Sequence, residues 1–112
     1  MKNILIMCAG GFSSSLMAKK TTELMRSKGY DVNVEASSES SGHKKIEAKE
    51  YDLYLISPQI RMYSKRLINA AEKANVDIDL IPFDAYSPVV PSMTKLAKII
   101  IKNLNIEKSD LD

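Results

Sequence analysis

The chain has 112 residues, 45% of them apolar and 27% charged, which suffices for one compact domain and is too little for two of ordinary size. Lys and Arg total 16 against 14 acidic residues, a net charge of +2 that lacks the concentrated basic footprint of a nucleic-acid binder. One cysteine closes no internal disulfide and, with the single histidine, completes no structural zinc site, so disulfide scaffolds and zinc fingers are excluded and the cysteine is either inert core or chemistry.

The apolar start Ile4 to Met7 is too short for a signal-peptide core, and no run approaches the roughly 18 to 20 apolar residues that span a bilayer. A cytoplasmic protein with no direct membrane insertion is expected. The first strand is predicted over Lys2 to Cys8, whose centre Ile4-Leu5-Ile6-Met7 is apolar without alternation, as a strand covered on both faces requires. A helix follows from about Ser14 to Lys28, with Met17, Thr21, Leu24 and Met25 on one face and Gly29 as its stop. The second strand, Asp31 to Ala36, alternates Val32 and Val34 with polar residues and suits a sheet edge.

A serine-rich turn, Ser37 to Gly42, opens a short helix through Ile46 and Ala48. The third strand, Asp52 to Ser57, is again an interior one, and Pro58 falls in the first turn of the next helix. Ile60, Ser64, Leu67, Ala71 and Ala74 step along one helical face. The fourth strand, Val76 to Ile81, alternates against Asp77 and Asp79 and reads as the second edge, with the acids as edge protection. After the loop Pro82 to Pro91 a last helix runs from about Ser92 to Leu104, with Met93, Leu96, Ala97 and Ile100 inward. Residues 1–105 thus form the domain and 106–112 a polar tail.

Two apolar interior strands and two alternating edge strands predict an α/β fold: a single four-stranded open parallel sheet, order 2-1-3-4, joined by right-handed crossovers, with helices on both faces. Ligands in such sheets bind beyond the carboxyl ends of the strands where the order reverses, here between strands one and three. Cys8 lies there, followed by Ala9-Gly10-Gly11-Phe12-Ser13-Ser14-Ser15.

This loop reads as a phosphate cradle. Gly10 and Gly11 let successive backbone N–H groups turn inward as an anion nest, the helix start adds its unpaired N–H groups, and Ser13, Ser14 and Ser15 supply hydroxyls. Such surroundings favour the thiolate and position Cys8 as a nucleophile. A plain strand-to-helix turn with capping serines is the bland account, and two glycines with three serines exceed what a cap needs.

Two other functions use the same loop. A cysteine-dependent phosphatase, of the low-molecular-weight tyrosine phosphatase or arsenate reductase kind, needs an arginine six residues after the cysteine, where this chain has Ser14. A flavodoxin-like, non-enzymatic module would hold a phosphorylated ligand there, with Tyr63 and Tyr86 as the aromatic residues available to a flavin ring. A receiver domain is disfavoured because strand one lacks an acidic pair for magnesium and strand three ends in Ser57. Elsewhere, His43 sits on the weakest helix in polar surroundings and reads as a solvated residue. Arg61 is either a surface residue or a contact for the phosphoryl group or its donor. Met7, Met17, Met25 and Met93 fall at core positions.

The strand Ile4 to Met7, followed by Cys8-Ala9-Gly10-Gly11-Phe12-Ser13-Ser14-Ser15-Leu16, resembles the enzyme IIB components of the lactose/cellobiose class, which also handles chitobiose, in the bacterial phosphoenolpyruvate-dependent sugar phosphotransferase system. The shared pattern is a cysteine, a small residue, a glycine-containing turn and Ser or Thr before a leucine-bearing helix. Ser57-Pro58-Gln59-Ile60-Arg61 is similar to the family's Gly-Pro-Gln stretch, with Ser57 where glycine is common, a departure that bears on the local turn only. The likeness extends from Lys2 to about Asn105.

What the resemblance implies is a phosphotransferase acting through phosphocysteine at Cys8. The phosphoryl group would come from a histidine of the IIA component and pass to a sugar, a β-linked disaccharide such as cellobiose, chitobiose or lactose, held in the membrane IIC component. No metal and no cofactor is implied. Fold topology adds a docking rim around Cys8 made of Phe12, the Gln59 to Tyr63 region with Arg61, and the loop through Phe83 and Tyr86.

Overall fold

The computed structural model describes residues 1–9 and 12–106, residues 12 and 13 by their backbone alone. From Ile4 to Met7 no side chain is more than 1% exposed, because β1 (Lys2–Cys8) is flanked by strands on both sides and covered on both faces. The elements that follow are α1 (Phe12–Ser27), β2 (Val32–Ser38), α2 (Glu39–Ala48), β3 (Leu53–Ile56), a 3-10 helix (Pro58–Tyr63), α3 (Ser64–Ala74), β4 (Asp77–Leu80), a 3-10 turn (Phe83–Ala85) and α4 (Val90–Leu104).

The strands form one parallel sheet in the order β2-β1-β3-β4, with registers running from Lys2↔Val32 to Cys8↔Ser38, from Ile4↔Leu53 to Met7↔Ile56, and from Leu53↔Asp77 to Ile56↔Leu80. Strand alternation sorts the core into two clusters. Ile4, Ile6, Leu53 and Leu55 face Met17 and Met25 of α1 and Leu96 and Ile100 of α4. Leu5, Met7, Tyr54 and Ile56 face Ile46 of α2 and Leu67 and Ala71 of α3. Helices therefore cover both faces, as the sequence pattern predicts, and the four methionines assigned to the core are buried.

Several boundaries differ from the sequence expectation. α1 begins at Phe12, so Ser13 to Ser15 lie inside its first turns and do not precede it. β2 runs on to Ser38, because β1 reaches Cys8 and its ladder carries the first two serines along. Pro58 starts a 3-10 helix in which Ile60 (φ −115°, ψ 27°) departs from helical geometry with its side chain buried, and α3 starts only at Ser64. α4 starts at Val90 and carries Pro91 in its first turn, where a missing N–H costs no hydrogen bond. Asp79 is half-buried and not simply an outward edge acid: its carboxylate accepts from Asn103 Nδ2 at 2.9 Å and from the Leu80 N–H at 2.8 Å. Ile106, assigned to the tail, packs against the α1–α4 cluster, and residues 107–112 of that tail lie outside the described residues.

The chain leaves α1 through Gly29 at φ 92°, and α2 and α3 end on left-handed Lys49 and Asn75. Tyr54, fully buried in β3, ties the end of α2 to the sheet: its hydroxyl donates to the Lys45 carbonyl at 2.7 Å and accepts from the Tyr51 N–H at 3.1 Å. Burial pushes the phenol above its ordinary range, so it stays a donor at neutral pH. Tyr54→Phe strips both groups of this partner and should cost about 1–3 kcal/mol. Thermal denaturation is expected to show a clear fall in Tm, and an unchanged Tm would mean that the two backbone groups find other partners.

Candidate functional site

The chemistry-bearing end of the molecule is the carboxyl edge of the sheet, where β1 stops at Cys8 between Ser38 of β2 and the exit from β3. Cys8 is 2% exposed, and its Sγ donates to the Ser37 carbonyl at 3.3 Å. The residue is recessed but not sealed. With Ala9 it lines a cleft of about 340 Å³ whose walls come from two other segments. Ser38, Glu39 and Ser40 at the start of α2 form one wall, and Gln59, Ile60, Met62 and Tyr63 of the 3-10 helix form the other.

The α2 wall is ordered by its own cap, the Ser38 side chain accepting from the Ser41 N–H at 3.3 Å. A helix N-terminus presented to the cleft is favourable to negative charge there. Glu39 opposes that tendency, and its carboxylate is paired with Arg66 of α3. Arg66 also lies over the Tyr63 ring, 5.4 Å from its centroid, so one guanidinium joins the two walls. Below the cleft Gly42 of α2 is buried against Met7 and Ser37, where a Cβ would overlap the Met7 side chain. Only glycine lets α2 approach the end of β1 this closely.

On the α1–α4 face of the sheet, toward which strand alternation also turns Cys8, Ser14 is 1% exposed and its hydroxyl shares a 2.5 Å hydrogen bond with the Tyr86 hydroxyl. That bond joins the first turn of α1 to the loop after β4. Ser57, directly after β3, is fully buried, and its N–H donates to the Met7 carbonyl at 3.0 Å.

The predicted site residues are therefore distributed as follows. Cys8 and Ala9 share the cleft, and Ser14 is engaged with Tyr86. Ser15 is exposed and lines a shallow groove between α1 and β2, away from Cys8. Gly10 and Gly11, and the side chains of Phe12 and Ser13, lie outside the described residues. Of the expected rim, Gln59 and Tyr63 line the cleft, Arg61 and Phe83 are exposed on its neighbouring segments, and Tyr86 is half-buried against the α1–α4 cluster. Tyr63 and Tyr86 thus do not line one common slot for a planar ring. His43 faces the groove between α2 and α3, beside Glu47 at 3.9 Å, and does not line the Cys8 cleft.

Sequence reasoning missed the α2 wall, whereas Met62 belongs to the Gln59 to Tyr63 region that it placed on the rim. The signal for the wall was present: Ser37 to Ser40 come at the carboxyl end of an edge strand parallel to β1 and so lie at the same end of the sheet as Cys8. Among the described residues no group of three His, Cys, Asp or Glu is placed to hold a metal ion, and no helix is long and apolar enough to cross a membrane.

A four-stranded parallel sheet of this order, with a cysteine closing its first strand at the floor of a cleft, defines an open-sheet α/β protein whose candidate site lies at the carboxyl edge of the sheet. The family model described as "PTS system, Lactose/Cellobiose specific IIB subunit" matches residues 3–100, and the chain belongs to that family. It is 30% identical over 86 residues, 77% of this chain and 82% of the other, to the PTS system oligo-beta-mannoside-specific EIIB component of Bacillus subtilis (strain 168). Among solved structures, the cellobiose-specific phosphotransferase IIB component of Borrelia burgdorferi is 25% identical, with a TM-score of 0.72 over 96% of this chain and 95% of that one. The lactose-specific IIB domain from Streptococcus pneumoniae, at 20% identity, shares the fold with a TM-score of 0.76 over 91% of this chain and 96% of that one. The chain is thus a IIB component of a sugar phosphotransferase system, a kind of protein that works together with IIA and IIC components.

Proposed function

We propose that this chain carries a phosphoryl group on Cys8, taken from a histidine of a IIA component and given to a sugar hydroxyl held by a membrane IIC component. The observation that carries the reading is the position of Cys8: the last residue of β1, recessed at the floor of a cleft at the carboxyl edge of the sheet. In the first transfer the Cys8 thiolate attacks phosphorus, the S–P bond forms as the P–N bond breaks, and the donor imidazole leaves with the bonding pair. In the second the sugar oxygen attacks, the S–P bond breaks, and the thiolate leaves, while the hydroxyl proton goes to a base on the acceptor side. The protein's part is electrostatic and positional.

The loop residues Ala9, Gly10, Gly11, Phe12, Ser13, Ser14 and Ser15 are assigned to the phosphoryl group, with Ser14 acting through its bond to Tyr86. Gln59, Arg61, Tyr63, Phe83 and Tyr86 with Phe12 form the docking rim that both partners use in turn. The sugar is assigned to the β-linked disaccharide class, in keeping with the cellobiose, lactose and oligo-beta-mannoside named for the relatives. No cofactor or metal takes part in this scheme.

The experiment is incubation with phosphoenolpyruvate, the general phosphotransferase components and IIA, followed by intact-mass measurement and peptide mapping. One phosphoryl group on the Cys8 peptide is expected. Phosphate on His43 or on a serine would overturn the assignment.

A further inference from the structure

Ser57 holds a hydroxyl that the fold does not use. Its N–H bond to Met7 extends the β1–β3 ladder one residue past Ile56, and its backbone is extended at φ −69°, ψ 155°. Leu53 and Leu55 share the α1–α4 face of the sheet with Ile4 and Ile6. Strand alternation then puts the next residues of the two series, Ser57 and Cys8, side by side on that same face. Ser57 is 0% exposed, its side chain does not cap the 3-10 helix that it precedes, and among the described residues its Oγ has no hydrogen-bond partner. Buried hydroxyls are almost always paired, and leaving one unpaired costs stability.

We propose that the Ser57 hydroxyl is a donor held ready for the phosphoryl group on Cys8. The proposal rests on the phosphocysteine reading above. When the S–P bond forms and the P–N bond of the donor breaks, anionic oxygens arrive beside Ser57, and Oγ–H donates to one of them while keeping its proton. A donor fixed in place beforehand needs no reorganisation when charge arrives. Its effect is to lower the free energy of the phosphorylated state relative to the free one, setting how far the transfer equilibrium lies toward this chain.

Thr21 supplies the comparison. Its hydroxyl is also fully buried and unpartnered among the described residues, but it lies in α1, nine residues beyond Phe12 and about 13 Å along the helix axis from its start. Wild type, Ser57→Ala, Ser57→Gly and Thr21→Val are each equilibrated with phosphorylated IIA, and the ratio of phosphorylated to free chain is read by intact mass, alongside Tm of the unphosphorylated proteins. Ser57→Ala and Ser57→Gly are expected to shift the ratio toward the donor by about tenfold, the worth of a hydrogen bond to a charged group. Ser57→Ala should match or exceed the wild-type Tm, because it removes a buried hydroxyl that has no partner among the described residues. Thr21→Val should leave the ratio unchanged. A Ser57→Ala ratio within about twofold of wild type, or an equal shift in Thr21→Val, overturns the assignment. Absence of Cys8 phosphorylation in the wild type itself sinks the phosphocysteine reading and this inference with it, an outcome distinct from normal phosphorylation in every variant.

Discussion

Cys8→Ser is expected to abolish phosphoryl flow from donor to sugar, by roughly 10³-fold or more, while leaving the fold intact. Serine is smaller by little, occupies the same 2% exposed position, and keeps a donor for the Ser37 carbonyl, so Tm should stay close to that of wild type. What is lost is the chemistry, since a hydroxyl is a far weaker nucleophile than a thiolate at neutral pH and a poor leaving group for the second transfer. Sugar phosphorylation in a reconstituted system reads the first quantity and thermal denaturation the second. Label reaching the sugar at near wild-type rate in the variant would place the carrier residue elsewhere.

Gly42→Val is expected to be the most damaging small change for the fold near the site. The added side chain overlaps Met7, which is fully buried in β1 and has little room to retreat, and it approaches the Ser37 hydroxyl as well. Overpacking of this kind costs about 1–3 kcal/mol, and a β-branched residue in a helix adds to it. Relief comes only if α2 backs away from the sheet, which carries Ser38 to Ser40 away from Cys8. The variant should therefore lose both Tm and the rate of phosphoryl acceptance, whereas Gly42→Ala should show a milder form of the same pair of losses. Loss of Tm with a normal rate of acceptance would show that the α2 wall does not contribute to transfer.

The sheet order was legible because the apolar runs Ile4 to Met7 and Leu53 to Ile56 carry no alternation, whereas Val32 and Val34, and Ile78 and Leu80, alternate with polar residues. Burial on two faces or on one writes itself directly into that pattern. Element ends were less legible. Ser37 and Ser38 have turn chemistry, yet β1 offers them ladder partners as far as Cys8, and tertiary pairing prevails over local preference. The segment after Pro58 steps like a helix from Ile60 onward, but burying the Ile60 side chain draws its backbone out of helical geometry.

Within the site, the place of Cys8 was visible because the apolar run Ile4 to Met7 carries no alternation and ends there, at the carboxyl edge of an interior strand. The α2 wall was not, since its serines read as a turn and the facing residues of the 3-10 helix are far away in the chain. Nor does any local pattern reveal that Ser14 is taken by Tyr86, 72 positions on, or that the Ser57 hydroxyl has no partner among the described residues. Such facts belong to the packed molecule.

The depth at which the sulfur sits has a consequence for what can meet it. A broad, smooth protein surface pressed against this end of the molecule touches Met62 and Phe83, which are 77% and 74% exposed, long before it touches Sγ. Only a reactant carried on a slender stalk, such as an imidazole ring or the edge of a sugar, fits down to that depth. For the same reason two copies of the chain are kept from joining through their thiols.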